Sequence, residues 1–164
     1  MNTANITSNN KALVRAIALS IPIILLGFLS GMSTTTEIQT WYVYLQKPSF
    51  NPPNYIFGPV WSLLYILMGI SLSIIIGAAP SRMRTMAILI FIVQFILNLG
   101  WSYIFFNLHL TGLAFIEIIL MWVAIISMIN YFYKVNKTAA LLQIPYALWV
   151  TFASVLNYSI YVLN

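Results

Sequence analysis

The chain has 164 residues, of which 62% are hydrophobic and 5% charged, with seven basic and two acidic residues and a mean hydropathy of +0.94. A soluble domain carries about 25% charged residues, so this composition excludes an ordinary soluble enzyme, a disordered tail and a nucleic-acid binder. There are no cysteines and one histidine, which rules out a disulfide framework and a thiolate or zinc site.

A membrane helix needs about 20 mostly apolar residues. Five such runs are predicted, over about 12–32, 54–79, 85–107, 111–133 and 138–163. They are continuously apolar rather than alternating, which argues for helices and against a barrel. The fold class expected is all-α: a polytopic membrane protein made of one five-helix domain over 1–164, with a polar tail over 1–11 and a long loop over 33–53.

Lys11 and Arg15 precede the first run, Arg82 and Arg84 lie between the second and third, and Lys134 and Lys137 between the fourth and fifth. All six fall at one end of a five-helix bundle. The positive-inside rule then puts the N-terminus in the cytoplasm, the C-terminus outside, and the 33–53 loop outside as a lid. The first apolar run is long for a signal peptide and no A-x-A site follows it, so it is read as a retained span. No internal repeat is visible, and five spans cannot divide into equal inverted halves.

Small residues recur at helical spacing: Gly27 and Gly31 in the first run, and Gly69, Ser73 and Gly77 in the second. Such stripes allow close helix approach, either within the bundle or at a dimer face. Pro48, Pro52 and Pro53 stiffen the loop that opens the second helix.

The chemistry-bearing residues cluster by depth. Trp61 and Tyr65 share a face of the second helix, Asn98 and Ser102 a face of the third beside Trp101. Glu117 is the one acid inside a span. Trp149, Ala153, Leu156 and Asn157 share a face of the fifth. At about 1.5 Å per residue, all lie roughly 8–21 Å below the outer ends of their helices. An intramembrane carboxyl needs a cavity or a partner, so Glu117 is expected to face the same pocket. The pattern reads as an apolar, aromatic-walled pocket under the 33–53 loop. Such walls suit a flat hydrophobic ligand by offset stacking. A plain aromatic core is the alternative.

Several motifs carry a resemblance. They are Trp41-Tyr42-x-x-Leu45-x-Lys47-Pro48-x-Phe50-x-Pro52-Pro53, Phe57-Gly58-Pro59-Val60-Trp61-Ser62-Leu63-Leu64-Tyr65, Asn98-x-x-Trp101-Ser102-x-x-Phe105-Phe106, and Pro145-Tyr146-x-x-Trp149-x-x-Phe152-Ala153-x-x-Leu156-Asn157. From about residue 15 to the C-terminus the chain resembles the translocator protein and tryptophan-rich sensory protein family (TspO, peripheral benzodiazepine receptor). The resemblance implies a five-helix bundle, often homodimeric, in a bacterial cytoplasmic membrane. It also implies a pocket for metal-free porphyrins such as protoporphyrin IX, or for similar flat drugs. No resident cofactor is implied.

By motif, the implied ligand-binding residues are Tyr42, Trp61, Tyr65, Asn98, Trp101, Ser102, Trp149, Ala153 and Leu156, to which Glu117 is added. Some members are reported to degrade porphyrin in light, which would make Trp61 and Trp149 the catalytic pair. Three functions follow as candidates: a porphyrin receptor or sensor, a light-dependent porphyrin-degrading enzyme, and a small transporter of lipophilic ligands. The C-terminal sterol pattern attributed to animal relatives lacks its basic residue here, since only Val162, Leu163 and Asn164 follow Tyr161.

Overall fold

A computed structural model describes the backbone of residues 3–164 and the side chains of residues 10–32 and 34–164. Its helices are α1 (Thr3–Thr40), α2 (Phe57–Gly77), α3 (Arg82–Ser102), α4 (Thr111–Val135), α5 (Lys137–Leu141) and α6 (Ile144–Leu163). Five spans are long and apolar enough to cross a bilayer: 10–40, 54–77, 82–107, 111–135 and 137–163. The expected five-helix architecture is present.

Two boundaries differ from expectation. Helix α1 does not stop at residue 32 but runs on to Thr40, so 33–40 is helix and the connecting loop is shorter than 33–53. The threonines there turn their hydroxyls back onto their own helix: Thr34 donates to Gly31 O (2.6 Å), Thr35 to Met32 O (2.8 Å) and Thr40 to Thr36 O (2.9 Å). That keeps polar residues compatible with a helix end near lipid. At the other end, α1 already begins at Thr3; of the tail expected over 1–11, residues 1 and 2 lie outside the described residues.

The last span is also not one helix. It divides into α5 and α6 around Leu142–Gln143. Asn136 caps α5 by accepting from Ala139 N (3.0 Å), and Pro145 sits in the first turn of α6, where its missing N–H costs nothing.

Helix α3 ends in a π-helical turn, Tyr103–Asn107, in which Leu108 N reaches back to Tyr103 O (3.1 Å). The wider turn is followed by His109 in the left-handed region (φ 58°). A non-glycine residue holds that conformation only when its surroundings fix it. Here the imidazole stacks on Trp41 (4.1 Å, 13°) and its Nε2 lies 3.0 Å from Glu37 Oε2. One clamp therefore ties the end of α1 to the α3–α4 turn.

Gly27 and Gly69 of the small-residue stripes pack inside the bundle, while a Cβ on Gly31 would meet no atom within 4 Å. A Cβ on Gly69 would stand 2.5 Å from the backbone Cα of Ser20, and one on Gly27 would collide with the Tyr65 ring. This is close approach of α1 to α2, the packing mode available when lipid supplies no hydrophobic drive between helices. Gly69→Ala should lower the melting temperature in detergent, at a cost of about 1–3 kcal/mol from overpacking against backbone. Gly100→Ala, where no atom lies within 4 Å of the new Cβ, should be neutral or slightly stabilising.

Candidate ligand cavity

A cavity of about 500 Å³ opens in the half of the bundle opposite the basic turns, beneath the 41–56 loop. Its size falls in the range of organic-ligand pockets, roughly 300–1,000 Å³. Helix α1 contributes Ile24, Gly27, Phe28 and Gly31, among others. The loop adds Tyr42, Asn54 and Tyr55, and α2 adds Phe57, Trp61 and Tyr65. The end of α3 adds Trp101, Ser102, Phe105 and Phe106, and α6 adds Trp149, Ala153, Leu156 and Asn157. Phe28 and Met32 line it yet are 64% and 53% exposed, so the α1 side of the cavity borders the lipid-facing surface.

The loop is tied down at several points. Tyr42 OH donates to Asn51 Oδ1 (2.9 Å), and burial pushes the Tyr42 phenol up to about 12, so it stays a neutral donor. Lys47 lies over the Tyr42 ring at 4.6 Å and donates to Leu45 O (3.1 Å). At the C-terminus, Asn164 Oδ1 accepts from Gln46 N (3.0 Å) while Asn164 Nδ2 donates to Gln46 O (3.1 Å). That pair holds the middle of the loop against the end of α6.

The walls are aromatic. Trp61 stacks on Tyr65 (5.4 Å, 29°) and Trp101 on Phe105 (5.1 Å, 23°), while Trp149 meets Phe57 edge-on at 5.9 Å. Most polar groups on the wall are already paired. Trp101 Nε1 donates to Asn157 Oδ1 (3.0 Å), and Asn157 Nδ2 to Thr111 O (2.9 Å). Trp149 Nε1 is different: it is a buried donor with no partner among the described residues. Leaving a buried N–H unsatisfied costs about 1–3 kcal/mol; the nitrogen itself is sealed, and Trp149 meets the cavity through other atoms.

Of the residues singled out from sequence, Tyr42, Trp61, Tyr65, Trp101, Ser102, Trp149, Ala153 and Leu156 line this cavity together. Asn98 and Glu117 do not. Asn98 stands behind the wall as a two-way connector. Its Oδ1 accepts from Tyr65 OH (3.0 Å), its Nδ2 donates to Tyr146 OH (3.1 Å), and Tyr146 OH donates to Gln94 Oε1 (2.9 Å).

Glu117 is buried on α4, which gives the cavity no lining residue. Both its oxygens lack partners among the described residues. Sequence reasoning missed the α1 wall, whose lining holds aliphatic residues, Phe28, two glycines and two threonines but no tryptophan or charged residue. It noted Asn157 on the correct face without including it in the site.

The fold and cavity together define a class: a five-span α-helical membrane protein with an aromatic pocket beneath a clamped loop. The model of the TspO/MBR family matches residues 18–163. The chain is 38% identical to the tryptophan-rich protein TspO of Chlorobaculum tepidum over 157 residues, 94% of this chain and 99% of that protein. It is 39% identical to the tryptophan-rich protein TspO of Archaeoglobus fulgidus over 155 residues (93% and 98%). It is 33% identical to the human translocator protein over 124 residues (74% and 73%). The chain belongs to the TspO/MBR family and is an integral membrane protein.

The connector makes a prediction. Asn98→Ala leaves Tyr65 OH buried without its acceptor, which should cost about 1–3 kcal/mol, while Tyr146 OH loses one donor and keeps Gln94 Oε1 as its acceptor. Tyr65→Phe removes one donor and keeps the ring, so its loss of melting temperature in detergent should be smaller.

Proposed function

We propose that the protein is a membrane receptor or sensor that binds a flat, hydrophobic tetrapyrrole of the metal-free porphyrin type in this cavity. The observation that carries the reading is a cavity of about 500 Å³ walled largely by aromatic side chains, Trp61, Tyr65, Trp101, Phe105 and Trp149 among them. A planar ring system fills the space between Trp61, Trp149 and the α1 face by stacking. The lipid-bordering α1 side supports a ligand that arrives from the bilayer.

In this reading the protein sits in a bacterial cytoplasmic membrane as a homodimer, N-terminus inside. The six basic residues at one end support the orientation. Because the chain has no native cysteine, Ser49→Cys should label with an impermeant thiol reagent in intact cells while Thr138→Cys stays protected; the reverse pattern refutes the orientation.

A second reading, light-dependent porphyrin oxidation, draws on two oxidisable indoles, Trp61 and Trp149, on one cavity wall. Tryptophan quenching by protoporphyrin IX and illumination of the loaded protein test both. Trp149→Phe should weaken binding about fivefold, as the smaller ring gives up about 1 kcal/mol of stacking. Trp61→Phe should weaken it to a similar extent. Trp122→Phe should leave it unchanged, since Trp122 Nε1 is committed to Thr151 Oγ1 (2.8 Å) away from the cavity. Unaltered affinity in Trp149→Phe would refute the assigned contact. Turnover in light that survives in the Trp61→Phe/Trp149→Phe double variant would remove both indoles from the second reading.

A further inference from the structure

Two arginines converge on the last turn of α2 at the basic end of the bundle. Arg84 Nη2 donates to Ile76 O (2.9 Å) and its Nε to Ile75 O (3.3 Å), which serves the helix's terminal carbonyls. Arg15 lies across Gly77 so closely that a Cβ there would collide with its guanidinium. Arg15 makes no hydrogen bond among the described residues, and its Nε is buried without a partner. Arg84 already occupies the carbonyls of Ile75 and Ile76, so Arg15 is not needed as a second cap for them.

No protein anion is available to Arg15 either. The chain has two acids. Glu37 is bonded to His109 at the opposite end, and Glu117 is buried on α4 near its other terminus. The neighbouring cations differ in their commitments: Lys134 lies over Tyr131 (5.3 Å) and Lys137 over Tyr133 (5.5 Å), while Lys11 and Arg82 are exposed. With its Nε sealed, Arg15 offers the four N–H donors of its two Nη groups; packed on Gly77 near a second guanidinium and without a counter-charge, they match a phosphate in charge and fork geometry.

We propose that Arg15, seated on Gly77 beside Arg84, forms a binding site for the phosphate of an anionic phospholipid headgroup at the basic end of the bundle. The site lies at the opposite end from the 41–56 loop and the cavity beneath it, and does not depend on what the cavity holds. The last turn of α2 is where a spanning helix meets the headgroup layer, so a lipid phosphate reaches it without entering the bundle. Gly77 is part of the site because only a residue without a side chain leaves room for the guanidinium.

The test is native mass spectrometry of the full chain released from micelles doped with equal phosphatidylglycerol and phosphatidylcholine. Phosphatidylglycerol should be retained in preference. Arg15→Gln should reduce that preference about fivefold, the effect of one basic residue at a membrane surface, and Arg15→Lys should keep part of it. Gly77→Ala changes no charge but displaces Arg15, and should also lower the preference; it stands as the test should Arg15→Gln fail to fold. Equal retention of the two lipids, or an unchanged preference in both Arg15→Gln and Gly77→Ala, would overturn the site. Glycerol 3-phosphate is the soluble arm. If it displaces phosphatidylglycerol at matched concentration, the site takes a free phosphate ester and the lipid assignment falls.

Discussion

A polar chain crosses the bundle behind the cavity: Tyr65 to Asn98 to Tyr146 to Gln94. In a bilayer no water stands ready to satisfy these groups, so each must find its partner inside the protein. The chain joins α2, α3 and α6 through directional bonds, where lipid-facing residues contribute only dispersion. Its near end is the phenol of Tyr65, whose ring forms the cavity wall and stacks on Trp61. The orientation of the wall thus follows from hydrogen bonds made one layer deeper. Gly27 completes the arrangement, because the Tyr65 ring occupies the place its Cβ would take.

The cavity depends on the same logic of commitment. Tyr42, Tyr65, Trp101 and Asn157 all line it, and all have spent their polar atoms on protein partners. What remains facing the space is mostly aromatic and aliphatic surface, with Asn54 and Ser102 among the few polar residues. Such a site selects by shape and stacking first. The loop above is fixed by side chains from distant parts of the chain, Asn164 at the end of α6 and His109 after α3, so the roof is as ordered by tertiary contacts as the walls.

Much of this was legible in the sequence, and the reasons differ by element. Continuous apolar runs gave five spans because lipid imposes length and hydrophobicity together. The extension of α1 to Thr40 was hidden, because Thr34 and Thr35 read as polar loop until their hydroxyls are seen bonding back to the helix. The break at Gln143 was masked by apolar neighbours, although Pro145 marked the restart. Helical spacing correctly united Trp61 with Tyr65 and Trp149 with Ala153 and Leu156. It could not tell that Asn98 faces Tyr146 rather than the cavity, because depth along a helix is readable from sequence while rotation about it depends on neighbours. Glu117 failed for the same reason: its depth matched, its helix did not border the space.

The central claim is that the aromatic wall of the cavity stacks on a flat tetrapyrrole. The most direct measurement is a ¹H–¹⁵N spectrum of the tryptophan indoles during titration with protoporphyrin IX. The account predicts ring-current shifts at the indole N–H resonances of Trp61, Trp101 and Trp149, which line the cavity, while Trp122 stays in place on Thr151. A saturating ligand that shifts Trp122 and leaves Trp149 unmoved would contradict it.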